Sequence, residues 1–137
     1  MAGKLGTHDA LIYVMVMASA VDSSMSDSEL SRIGQLVKAL PVFDSFDENR
    51  LIDVSQACAD LVSGPEGLDI ALETIRDTLS PRLYDMAYAL AVEVMAVDEA
   101  VLPEEIRLLQ LLRDRLSLDK LTCAAIERSA IARYRRA

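Results

Sequence analysis

Sliding the chain against itself by 76 residues lays Ala20-Val21-Asp22 on Ala96-Val97-Asp98 and Glu29 on Glu105. Apolar positions follow in the same register. Val14 falls on Leu90, Val16 on Val92, Met25 on Val101, Leu30 on Ile106, Ile33 on Leu109, Leu36 on Leu112 and Leu40 on Leu116. A repeat of this length demands two copies of one supersecondary unit, each presenting an apolar face for the other to cover. A shift of 72 overlays the apolar stripe of a third segment on the C-terminal segment in part, so the unit has three elements. With 137 residues, the chain has room for one ordinary domain, residues 1–137, burying about two-thirds of its unfolded surface.

The elements read as helices. Thr7 opens a first helix whose apolar run extends to about Val21; Ser26 with Glu29 forms a capping box that opens a second, stopped by Pro41. Asp47 caps a third, carrying Leu51, Val54, Cys58, Leu61 and Val62, which Ser63-Gly64-Pro65 ends. A fourth runs from about Glu66 to Leu79, Ser80-Pro81 starts a fifth reaching about Val97, Pro103 starts a sixth ending near Leu116, and Asp119 caps a seventh. No segment alternates as a strand would. The prediction is an all-α fold of about seven helices: duplicated three-helix units at about 7–62 and 80–134, joined by a linker helix at about 64–79 and related by a pseudo-twofold axis.

Composition narrows the function. Aromatic residues are only 4% of the chain while apolar residues are 52%, so the core is aliphatic. A net charge of −8 repels phosphates and argues against nucleic-acid binding, leaving cations, a basic protein partner or self-association. An acidic surface also serves solubility alone. The apolar run Ala10–Val21 is too short to span a bilayer, and because it recurs within the repeat it is not read as a signal peptide. Cys58 and Cys123 lack metal or redox spacing and read as reduced core thiols, which points to the cytoplasm. His8, the one histidine, is placed at an exposed helix start, and without a second the usual Cys-His and Ser-His-Asp constellations have no base. Met15, Met17, Met86 and Met95 read as core filling and Glu93 as a partly exposed glutamate. Arg128, Arg133, Arg135 and Arg136 would meet an anionic membrane surface or an acidic partner, yet they equally suit a helix C-terminus, the preferred reading.

The acids of the repeat are the candidate site. Each hairpin turn reads Asp, an apolar anchor three residues on, and Glu seven residues on: Asp22, Met25 and Glu29, then Asp98, Val101 and Glu105. An apolar plug between the two acids folds both carboxylates toward one corner, making an oxygen-rich setting of the kind Ca²⁺ or Mg²⁺ accepts. Helix capping is the competing explanation, since acids favour a helix N-terminus whether or not a metal exists. Neither turn is an EF-hand, being too short and lacking its glycine. No nucleophile or Gly-rich phosphate loop accompanies the acids, so the chain is expected not to be an enzyme.

This motif, occurring twice in a helical chain of this length, resembles the TerB and TerB-like family of bacterial tellurite-resistance proteins from about Asp9 to Ile131. The resemblance implies a duplicated all-helical fold, a cytoplasmic, non-enzymatic role in chemical stress, and acidic clusters that hold divalent cations. The matching positions are Asp22, Glu29, Asp98 and Glu105; the glycine usual after each Asp is Ser23 in one copy and Glu99 in the other. The alternative is an oligomerising or partner-binding helical module with no metal.

Overall fold

A computed structural model describes residues 5–19, 26–97 and 102–137. Asp22, Met25, Asp98 and Val101 of the turn motifs lie outside the described residues.

The first helix, α1 (Thr7–Ser19), is buried on every side: Ala10 to Ala18 are nine consecutive buried residues. A helix apolar all round has no face for water and takes the centre of the domain. Its bulkier members, Leu11, Ile12, Met15 and Val16, each contribute roughly 1.5–3 kcal/mol of burial. The fifth helix, α5 (Tyr84–Met95), makes its most extensive contact and is itself buried through Ala87, Tyr88, Leu90, Ala91, Val92 and Met95. Around this pair stand α2 (Asp27–Ala39), α3 (Leu51–Val62), α4 (Gly67–Thr78), α6 (Pro103–Arg115) and α7 (Lys120–Arg133). The described residues thus hold seven α-helices and no strand. None of these helices is long and apolar enough to cross a membrane.

The packing partners run in parallel. Helix α1 touches α2 and α3, α5 touches α6 and α7, and α1 joins α5. Helix α4 departs from this scheme, packing on α1, α3 and α6. Burial of the outer helices departs from it too. Helix α2 buries Ile33 and Val37, whose counterparts on α6 are the half-buried Leu109 and Arg113. Helix α6 instead buries Glu105, Leu108 and Leu112. The two helices therefore turn different flanks inward, displaced by about one residue position, or about 100° of rotation. Contact with α4, which α2 lacks among the principal contacts, gives α6 a second neighbour and a different inward flank.

Local chemistry ends the helices where expected. Ser26 caps α2, Pro41 opens a short 3₁₀ turn (Pro41–Phe43) beyond it, Asp119 caps α7 by accepting from the Thr122 amide, and Pro103 is the first residue of α6. Asp47 caps a 3₁₀ turn (Glu48–Arg50) that leads into α3, and Ser80-Pro81 open another (Pro81–Leu83) that leads into α5. Met15, Met17 and Met95 fill the core, and Cys58 and Cys123 are fully buried.

His8 departs from its expected surface position. Its Nε2 donates to the Val42 carbonyl at 2.7 Å, and its ring lies 5.7 Å from Phe43 and 5.6 Å from Phe46. Buried apolar rings recruit the imidazole as a wedge between α1 and the turn after α2. Beside it, Arg50 reaches both oxygens of Asp9 at 3.2 Å, tying the start of α1 to that of α3.

At the α3–α4 corner backbone approaches backbone closely. Glu66 takes a left-handed φ of 55°, and a Cβ on Gly67 would stand 2.0 Å from the Leu61 carbonyl oxygen and 2.8 Å from Val62 Cα. Gly34, inside α2, has only Leu51 Cδ2 at 3.7 Å. Gly67→Ala is expected to cost about 2 kcal/mol or more through displaced backbone, whereas Gly34→Ala should stabilise by about 0.5–1 kcal/mol through helix propensity. Urea unfolding of the two variants checks the opposite signs.

Candidate functional site

The helix starts of α2 and α6 carry the two described acids of the turn motifs. In α2 the capping box is complete: Ser26 Oγ accepts from the Glu29 amide at 3.2 Å, and the Ser26 amide donates to Glu29 Oε1 at 2.8 Å. In α6 the cap position is Leu102, whose side chain has no acceptor, so the Glu105 amide bonds the Leu102 carbonyl at 3.0 Å. The glutamate half survives, the Leu102 amide donating to Glu105 Oε1 at 2.8 Å. Both acids also lie at the positive end of a helix dipole.

These two glutamates line one cleft of about 580 Å³, which α1, α2, α5 and the start of α6 enclose. Ser19, Ser28, Ser31 and Arg32 share its wall. Glu29 is half-buried and Glu105 is 6% exposed, so the two carboxylates differ in access to water. The wall offers oxygen donors and neither cysteine nor histidine. Among the described residues, no three of His, Cys, Asp and Glu are grouped as a metal-binding set. The arrangement brings Glu29 and Glu105 to one place; Asp22 and Asp98 lie outside the described residues.

Next to this cleft stands a cluster that sequence reasoning missed. Glu93, with a side chain only 18% exposed, accepts from Arg32 Nη2 at 3.2 Å and also from Arg133 and the Tyr134 hydroxyl. Arg32 bonds the same hydroxyl and stands 5.4 Å from the centre of the Tyr134 ring. Burial first, then the bond to Glu93, pushes the Tyr134 phenol above its ordinary pKa. The cluster joins α2, α5 and the end of α7, and it gives Arg133 an ion-pair partner beyond the helix dipole. One signal was available. An acid in the apolar second half of α5, flanked at i−4 and i+4 by Ala89 and Val97, has no cation on its own helix and must find one elsewhere.

The thiols offer no alternative chemistry. Burial pushes Cys58 up to about 12, and its Sγ donates to the Tyr13 carbonyl at 3.7 Å. Such a group holds its proton throughout the physiological range.

No protein-family model, curated protein or solved structure matches this chain.

The hub makes a measurable prediction. Glu93→Gln keeps the shape but removes the charge shared by two guanidinium groups, and should lower stability by about 2 kcal/mol. Because the carboxylate is largely shielded from solvent, most of that loss should persist in urea melts at high salt.

Proposed function

We propose that this chain is a non-enzymatic binding protein that holds a divalent cation such as Ca²⁺ at its paired acidic elbows. The observation that carries the reading is the convergence of Glu29 and Glu105, equivalent in the sequence repeat, on a single cleft. Their shared role at two helix starts and the parallel packing of α1 with α2 and α3, and of α5 with α6 and α7, support a duplicated unit. The resemblance to TerB-like proteins of chemical stress response points the same way.

The donor set suits a hard ion. Carboxylate and serine oxygens line the cleft, and the charge of Arg32, which would repel a cation, is countered by Glu93. In this reading Glu29, Glu105, Asp22 and Asp98 supply the negative charge. At α2, capping and cation binding are compatible, since the Glu29 carboxylate has two oxygens and the cap uses one. The alternative reading, a self-associating module without a metal, draws on α7, where Leu121 is 81% and Ile131 50% exposed.

Calorimetric titration of the full chain with Ca²⁺ and Mg²⁺ separates the two. The cation reading expects saturable heats that Asp22→Ala combined with Asp98→Ala abolishes with helicity intact. Because glutamine can fill the third position of a capping box, Glu29→Gln should keep the helix start and weaken the ion. No saturable heat with either cation, together with concentration-dependent dimers in sedimentation, would reject the cation site in favour of self-association.

A further inference from the structure

A second cavity, of about 1000 Å³, opens on the other flank of the α2 and α6 starts, against α3 and α4. Its size and chemistry are those of a small-molecule site, an apolar concavity with a few polar groups. Val16, Met17, Leu108 and Leu111 are among the apolar residues that line it, and Ile52 and Leu68 stay 66% and 40% exposed on its wall. Such apolar surface left to water is a binding feature when it is continuous with a cavity.

The polar groups define what would enter. Ser26, Gln56 and Ser63 already have partners: the Glu29 amide, the Asp60 carboxylate and the Asp60 carbonyl. Ser55 has none. The residue is 6% exposed, it lines the cavity, and its Oγ is buried without a hydrogen bond among the described residues. Leaving a buried hydroxyl unpaired is costly, and a native protein normally supplies a partner. Arg107 on the same wall makes no ion pair among the described residues. The two acids present, Asp27 and Glu104, sit in the first turns of α2 and α6, where the helix dipoles offset their charge. The cavity thus presents one buried hydroxyl without a partner and one solvent-exposed guanidinium without an ion pair among the described residues, both able to donate, above aliphatic walls.

The geometry points to a site for an aliphatic carboxylate, the chain lying along the α1, α3 and α6 side chains and the carboxylate accepting from Arg107 and Ser55. This site is independent of the cation proposal, since it uses neither Glu29 nor Glu105. A free fatty acid and the anionic head of a membrane lipid share this chemistry; a cavity of about 1000 Å³ between helices has room for one aliphatic chain, and the free acid is the occupant assigned.

Titration of the full chain with dodecanoate, below its micelle concentration and in buffer without divalent cations, tests it. One-to-one saturable binding is expected, weakened roughly tenfold by Arg107→Gln through loss of a charge-assisted bond, and prevented by Ala59→Trp, which fills the cavity from its wall. Both variants alter exposed positions, and circular dichroism establishes that they fold. Dodecanol binding as tightly as dodecanoate would overturn the anionic assignment. So would equal affinity in Arg107→Gln, or binding only to phosphatidylglycerol vesicles. Absence of saturable binding to the wild type would remove the site altogether.

Discussion

Everything in this fold hangs on a helix with no outside. Nine successive residues of α1 are withdrawn from water, so the remaining helices must surround it, α5 most extensively and α3 next. Neither helix has a polar flank wide enough to stand at the surface, and each is the largest partner of the other in shielding it. An aliphatic core of this kind fills its gaps with methionines, and Met15, Met17 and Met95 are all inside.

Placing α1 beside α5 has a consequence at their ends. Helices α2 and α6 follow α1 and α5 in the chain, and their two starts share a cleft. At that point the surroundings of the two helix starts diverge. Glu29 stands half in water while Glu105 is nearly covered, the inward flanks of α2 and α6 differ by one position, and α4 packs against α6. Two equivalent acids thereby acquire different environments, and the flank of α6 that faces α4 helps to form the larger apolar cavity. Glu93 then fixes α2 against α5 and α7 through interactions that a rotation of α2 would break.

Local signals were legible because they are local. Ser26 with Glu29, Pro41, Pro103 and Asp119 mark helix ends through bonds spanning two to four residues, and the structure places the ends within a residue or two of them. The burial of Cys58, Met15, Met17 and Met95 followed from their apolar neighbours, while Met86 of the same expectation is only half-buried. What stayed hidden depends on residues far apart in the chain. Glu93 meets Arg32 across 61 positions and Arg133 across 40, and His8 meets Val42 across 34. No periodicity encodes such pairings. The rotation of α6 relative to α2 escaped for the same reason: both carry apolar residues on two adjacent flanks, and the neighbouring helices choose between them. Of the site, the sequence marked the acids; that Glu29 and Glu105 share a wall depends on how α1 packs on α5.

That shared wall is also the point at which the account is most exposed. Cys58 and Cys123 are fully buried, so a nitroxide reagent attaches selectively to an introduced thiol in Ser28→Cys, at an exposed position on the cleft wall. Paramagnetic broadening of amide resonances should then reach Leu102 and Glu105 at the start of α6 and Val94 on α5, as well as the label's own helix. Broadening confined to residues 26–35, with the α6 start at full intensity, would contradict the convergence of the two elbows.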